Sequence, residues 1–339
     1  MIITNLFAIL ALCSISCSKV NNDQYIPENS MPGADSGVED VEASPGHKEG
    51  DWMVYDVDEG LTYMVFNDFD DVSGANQIVN VCKIDLNSGK YSVNMNFVDS
   101  GNITSTILKG RNAIVCTNGG FNIEAVYIKK DGTVYHDIEW EYFDSANTIQ
   151  NWMNEAAVYF DGNQGVVIEN ECEGMPIAQT KSHYANDDRK TFVGSSPMLI
   201  KDFEKVGSTY IYRNGYKDGT DLSSYHPSSS VVHSANRHPR TIIALTQDNY
   251  LILMTVDGRW PGKAEGMTAK EMTEFIAKHF NPQYALSLDG GGSTTMCVRG
   301  YGDKETYCVN YPTDNGKFDP SIITWLNRIK KHRLRQIIR

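Results

Sequence analysis

Basic residues are in short supply. Lys and Arg total 30 against 43 Asp and Glu, a formal net charge of -13. Phosphate backbones are bound by basic surface, so this balance argues against a nucleic-acid partner and favours neutral or locally complemented substrates. Cysteine is scarce as well, with 7 in 339 residues, and no pair stands at zinc-ligand spacing. Cys82, Cys116, Cys172, Cys297 and Cys308 lie beyond the N-terminal segment; five is odd, so at least one thiol has no disulfide partner. Cys116 and Cys297 fall inside apolar strand-like runs and read as small buried hydrophobes. His183, His233 and His238 show no H-x-x-x-H pattern, and no serine stands in a nucleophile elbow. There is no cofactor motif and no internal repeat. A divalent metal held by carboxylates and carbonyls leaves little trace in sequence and stays open. What is present is a globular composition on a chain long enough to bury a sizeable core.

The N-terminus also lacks a run of membrane-spanning length. Leu6 to Leu12 is apolar but short, which suits the core of a signal peptide. Cys17, after Ser16, has the place of a bacterial lipoprotein processing site, where the cysteine becomes the lipidated N-terminus. No Lys or Arg precedes the run, so an ordinary secretory signal is the alternative. Residues 1–17 are therefore read as a signal peptide with a lipoprotein-type cysteine. Export to the cell envelope and a membrane attachment through the lipid follow. Asn, Ser, Pro, Gly, Asp and Glu dominate residues 18–50, and such a stretch cannot offset the entropy of ordering. It reads as a flexible tether ahead of one domain at residues 51–339.

Short runs of β-branched and aromatic residues follow one another from Asp51: Thr62 to Asn67, Gln77 to Leu86, Tyr91 to Val98 and Asn112 to Thr117. Asn87-Ser88-Gly89-Lys90 and Lys129-Lys130-Asp131-Gly132 have the composition of hairpin turns. Asp144 to Met153 carries a weak helical pattern, and Phe192 to Lys201 reads as a turn and strand. Ser208 to Ser230 is rich in Gly, Tyr and Ser and reads as loop, with Tyr210 to Tyr212 as a short edge strand.

The last third is the most regular. Arg240 to Leu245 and Tyr250 to Val256 are strands; the second runs into Asp257-Gly258-Arg259. Thr268-Ala269-Lys270-Glu271 has the form of a capping box, and Met272, Phe275, Ile276 and Phe280 repeat at helical spacing until Asn281-Pro282. The strand Tyr284 to Leu288 then ends in Asp289-Gly290-Gly291-Gly292-Ser293-Thr294. If the strands flanking the helix are parallel, Asp257 and Asp289 leave the same sheet edge and share one cleft. The fold class expected is α+β, a β-rich mixed sheet with this strand-helix-strand unit. Asp319-Pro320-Ser321 reads as a cap of a last helix, with the basic segment Lys330 to Arg339 as its solvated end.

Paired carboxylates are the usual machinery for breaking a glycosidic bond, so Asp289 and Asp257 are the leading catalytic candidates. Asp-Gly is equally a common turn dipeptide. Arg240 and Arg259 have the bidentate fork that fits phosphate oxygens, with surface ion pairing as the alternative. Arg240 opens the strand that pairs with the one ending at Asp257, an arrangement read as placing it at the opposite end of the sheet unless the hairpin is offset. Asn118-Gly119-Gly120-Phe121-Asn122 is a second glycine-rich strand exit, read as another backbone wall around substrate or as a bulge. Gly290, Gly291, Gly292, Ser293 and Thr294 complete the predicted binding set. Glu271 is explained by its capping duty and is left out.

Several strings together resemble one family. TNGGFN, RHPRTIIALTQDN, VDGRWPGKAEGMTAKEMTEFI and LSLDGGGSTTM stand in the order found in phosphodiester glycosidases. Gly194-Ser195-Ser196-Pro197 and Val309-Asn310-Tyr311-Pro312 are similar to two further blocks, and the likeness runs from Asn112 to Asp314. Ser195-Ser196 replaces glycines usual there, and Asn315-Gly316 lacks the arginine that often follows. The resemblance implies hydrolysis of a sugar-1-phosphodiester, or a related surface glycan, at the glycosidic carbon. It carries Asn118, Gly119, Gly120, Arg240, Asp257, Gly258, Asp289, Gly290, Gly291, Gly292 and Ser293 onto family motifs. Two other classes stay open: a glycan-binding lipoprotein without catalysis, and a phosphodiesterase cleaving the P–O bond.

Overall fold

The computed structural model describes residues 43–102, 104–121, 125–138, 152–161, 165–313 and 332–338. Its largest unit is an eight-stranded sheet. Strands β1 (His47–Glu49), β2 (Trp52–Asp58), β3 (Leu61–Asp70) and β4 (Ala75–Asp85) form one half. The half beyond β4 is ordered β14 (Tyr250–Val256), β13 (Arg240–Leu245), β15 (Tyr284–Ser287) and β12 (Met198–Lys201). A second sheet holds β10 (Val166–Glu169), β9 (Ala156–Phe160), β11 (Phe192–Ser195), β7 (Ile128–Lys130) and β8 (Thr133–His136). The third is ordered β16 (Met296–Val298), β6 (Val115–Asn118), β17 (His332–Ile338) and β5 (Val93–Asn102). Helices α1 (Thr104–Gly110), α2 (Ile177–Ala185), α3 (Tyr210–Arg213), α4 (Ser230–Ala235) and α5 (Ala269–Phe280) connect them. The α+β reading of the sequence describes this architecture.

Strand alternation explains the layering. Leu251 and Leu253 of β14, Ile243 of β13 and Leu286 of β15 face a core shared with β5, β6, β9 and β11. Their neighbours Ile252, Met254, Val256, Ile242, Ala244 and Ala285 face the other way, onto Met272, Phe275 and Ile276 of α5. Both faces are covered, so the central strands are apolar at nearly every position, as sheets buried on both sides require. Burying each of the three α5 side chains contributes about 1.5–3 kcal/mol. The capping box is formed as read: Thr268 Oγ1 accepts from Glu271 N at 3.1 Å, and Glu271 Oε2 from Thr268 N at 2.9 Å. Asn281, in the left-handed region at φ 41°, ends the helix.

Every ladder among the described strands is antiparallel, and β13 lies between β14 and β15. Those two strands therefore point the same way, as next-nearest neighbours. The helical connection reaches over β13, and the chain leaves both strands at one edge. The turn at Lys129 to Gly132 is a hairpin, with Asp131 and Gly132 at φ 52° and 82°.

Four readings are corrected. Asn87 to Lys90 does not join a hairpin, because β4 pairs with β3 and β14 whereas β5 belongs to another sheet. A 3-10 turn, Leu86–Ser88, with Gly89 in the left-handed region redirects the chain between layers. Tyr210 to Tyr212 lies in helix α3, its Tyr210 side chain buried. Within Lys330 to Arg339, residues 332–338 form β17, inserted between β5 and β6, where backbone pairing on both sides outweighs the helical alternative. Strand pairing also begins at His47, inside the stretch read as tether. Residues 1–42, the expected helix from Asp319 and the part of the weak helix at 144–151 lie outside the described residues.

Candidate active site

Arg240 stands opposite Val256 in the ladder, and Ile242 opposite Ser287. The start of β13 is thus at the same edge as the ends of β14 and β15. This overturns the expected separation of Arg240 from Asp257: in an antiparallel pair, the first residue of one strand meets the last of the other. Asp257, Asp289, Arg240 and Arg259 therefore belong to one edge.

The second glycine exit joins them. Asn118, at the end of β6, donates from Nδ2 to Asp289 O at 2.7 Å. Its Oδ1 accepts from Thr241 Oγ1 at 2.7 Å and Thr295 N at 3.0 Å. Asp289 N donates to Gly119 O at 3.0 Å. The side chain of Asn118 is buried, so it holds two strand exits together as a single wall. Gly119 is buried and Gly120 half-buried beside it.

Close approach accounts for three glycines. A Cβ on Gly290 would stand 2.7 Å from Pro239 O, and one on Gly258 2.7 Å from Pro239 N. One on Gly266 would stand 2.6 Å from His238 O. The segment His238-Pro239 is threaded between them, and Gly291 N donates to Pro239 O at 2.7 Å. Gly291 has φ 61°, and a Cβ there would lie 3.1 Å from Arg259 Nη2. Arg259 itself is in the left-handed region at φ 61°, an uncommon conformation for a side-chain-bearing residue. Its Nη1 donates to Thr313 O at 3.3 Å. The glycine turn thus presents Gly290, Gly291, Gly292 and Ser293 half-buried, with the Arg259 guanidinium against it.

Asp257 is only 1% exposed. Its Oδ1 accepts from Asn310 Nδ2 at 3.1 Å and Tyr311 N at 3.0 Å, while Oδ2 is buried without a partner. Burial pushes its carboxyl up to about 7, against the pull of those two hydrogen bonds. Thr294 is buried with Oγ1 unpartnered. Asp289, by contrast, is half-buried.

Arg240 is 1% exposed, an unusual depth for a charge. Nε donates to Met267 O at 2.9 Å, and Nη2 to His233 O and Asn236 O at 2.7 and 2.8 Å. Nη1 lies 3.3 Å from a ring nitrogen of His233. Burial and the neighbouring Arg259 charge lower Arg240 to about 9, with Asp289 opposing. Burial, then Arg240, hold His233 well below its ordinary range, and the same two causes take His238 to about 4. Both rings are neutral near pH 7, so two guanidiniums supply the positive charge here.

His233, Trp152, Phe121 and Glu155 were not among the predicted residues. The His233 ring is 4.9 Å from that of Trp152 and 5.6 Å from that of Phe121. Glu155 is buried, and its Oε2 accepts from Tyr210 OH at 2.8 Å and Ser196 Oγ at 3.3 Å. Ser195 Oγ donates to Ser287 O at 2.7 Å, which ties this group to the end of β15. Glu155, Trp152 and His233 carry no local sequence signal, because they reach the edge from segments remote from its motifs, whereas Phe121 stands within the second glycine exit itself. Among the described residues no cluster of three or more His, Cys, Asp or Glu is placed to hold a metal ion.

A family profile described as phosphodiester glycosidase matches residues 90–324. The chain belongs to the phosphodiester glycosidase family. Membership gives it a hydrolase function of glycosidase type. A search among curated proteins finds no match. Among solved structures, the chain is similar to the catalytic domain of zebrafish N-acetylglucosamine-1-phosphodiester alpha-N-acetylglucosaminidase, auto-inhibited by its pro-peptide. Identity is 18% and the TM-score 0.54, over 92% of this chain and 91% of that one. It is also similar to a hypothetical protein from Synechocystis at 13% identity and TM-score 0.50, over 86% of this chain and 64% of the other. At such identities the likeness is one of fold, and the phosphodiester glycosidase assignment rests on the profile.

Proposed function

We propose that the protein hydrolyses a sugar-1-phosphodiester, or a related surface glycan, at the glycosidic bond, releasing a free sugar and a phosphomonoester. The observation that carries this reading is the convergence of two carboxyl groups and two guanidiniums on one sheet edge. Such a reaction needs a proton for the leaving oxygen and a carboxylate for the anomeric carbon or its attacking water. A buried carboxyl that keeps its proton to about pH 7 suits the acid. Asp257 takes that part. The half-buried Asp289 takes the nucleophile or base role. Arg259, held against Gly291, contacts the phosphate, and Arg240 backs it with buried positive charge and Nη1. Gly290 to Ser293 and the Asn118-Gly119-Gly120 exit shape the floor, with Thr294 beneath it.

Hydrolysis of synthetic sugar-1-phosphodiesters in isotopically labelled water tests the reading. Label in the sugar is expected; label in phosphate would identify P–O cleavage, and saturable binding without product would identify a glycan-binding protein. The Leu6 to Leu12 run and Cys17 support export and a lipid anchor. Metabolic labelling with a fatty acid, lost in Cys17→Ser, is the expected result.

A further inference from the structure

The loop between α3 and α4 stands on the wall of the candidate site at both ends. At one end Tyr210 OH donates to Glu155 Oε2 at 2.8 Å. At the other, Trp152 Nε1 donates to Ser228 O at 3.0 Å, and Trp152 touches His233. Between these feet three tyrosines gather. The ring of Tyr212 lies 5.7 Å from that of Tyr216, which lies 6.2 Å from Tyr225. Tyr212 is 46% exposed, and the other two are half-buried.

The loop is built rather than loose. Tyr216 N donates to Ile211 O at 3.0 Å, Thr220 N to Lys217 O at 3.0 Å, and Asp221 caps a 3-10 turn through Ser223 N. Gly215 and Gly219 take φ 90° and 79°, which a side chain would resist. Two hydroxyls are engaged internally: Tyr212 OH donates to Asp218 Oδ1 at 2.9 Å and Tyr225 OH to Gly215 O at 3.2 Å. At Tyr212 and Tyr225, ring surface more than phenol oxygen is therefore what is offered. Arg213 is paired with Glu173, and Lys217 stands against Asp218 and Asp221 along the loop, so the loop carries no excess of positive charge to hold an anion.

We propose that Tyr212, Tyr216 and Tyr225 form a secondary binding ledge for an uncharged glycan chain attached to the scissile sugar. An aromatic ring offers a flat apolar face of low conformational entropy, and a sugar ring has a C–H face that packs on it while its hydroxyls stay in water. The lack of excess positive charge favours a neutral sugar over an anion. The inference rests on the proposed hydrolysis only for what lies next to the ledge; binding is measured without turnover.

The test is calorimetric titration of the full chain with neutral oligomers of glucose, mannose, galactose and N-acetylglucosamine. At least one should bind with Kd of ~1 mM or tighter. Tyr212→Ala with Tyr216→Ala should weaken that binding about tenfold or more, with hydrolysis of a small soluble sugar-1-phosphodiester unchanged. Tyr212→Phe with Tyr216→Phe keeps the rings and should keep the binding, which separates ring contact from loop folding. The proposal is overturned by no binding of any oligomer, by binding that survives loss of both rings, or by a preference for sulfated oligosaccharides or peptides.

Discussion

Asp257 and Asp289 end two strands at the same edge, and each precedes a glycine, yet their surroundings differ. The residues Asn310 and Tyr311 lie over Asp257, bond one of its oxygens and shut out water. Asp289 is fastened through its backbone, by Asn118 and Gly119, and stays half-buried next to a buried arginine. An Asp-Gly dipeptide thus has no fixed chemistry. What covers it decides how deeply the carboxyl is buried, and at Asp257 that burial holds the proton to about pH 7.

The contrast is broken most sharply by turnover. Asp289→Asn is expected to lower kcat by about 10³-fold or more with an unchanged melting temperature. A folded variant of near-normal activity would remove Asp289 from the reaction. Asp257→Asn keeps an acceptor for Asn310 and Tyr311 and is expected to lose about 10²-fold, the usual cost of a missing general acid. Activity within a few-fold of the parent would make Asp257 a structural pin alone.

The arginines sharpen the same contrast between covered and open groups. Arg259→Ala should raise KM about 10–100-fold, with little change in stability. Arg240→Ala leaves the carbonyls of Met267, His233 and Asn236 without their donor and should cost ~3 kcal/mol or more in denaturant unfolding.

A pH series isolates the burial of Asp257. Its folded carboxyl titrates near 7, against an ordinary 3.8. The folded state therefore binds the proton more tightly than the unfolded chain, and this group withdraws stability as pH rises from about 4 to about 7 and is level above. Unfolding measured across that window should show a shallower decline in Asp257→Asn than in the parent; parallel curves would mean that the group is not buried in solution. Glu155, raised by burial to about 7, adds to the parent's decline and is untouched by that substitution. The smallest effects concern glycines. Gly290→Ala meets Pro239 O and should cost roughly 1–3 kcal/mol, whereas Gly262→Ala, strained at φ 75° but in open space, should cost about 1 kcal/mol.

Much of the candidate site's placement was legible because it is made of local signals. The capping box, the apolar period of α5 and the strands around it specified a unit whose two exits share an edge if its strands run the same way, and β14 and β15 do. The Asn118 exit was read as a second wall around substrate or as a bulge, and its direct bonds to the Asp289 turn and to Thr241 were not legible, since they cross from one sheet to another. Arg240 was misplaced because the antiparallel pairing was read the wrong way round: the first residue of β13 meets the last residue of β14. Glu155, Trp152 and His233 left no mark at all.

The sequence by itself determined the strands of the last third around the capped helix, where that helix begins, and that two Asp-Gly exits bracket it, because periodicity and capping are properties of neighbours along the chain. Only the tertiary structure decided that β13 lies between β14 and β15, that residues 332–338 join the third sheet, and that one aspartate is sealed while the other is open. Burial and charge at a residue are set by whatever packs over it, and that cover comes from distant parts of the chain.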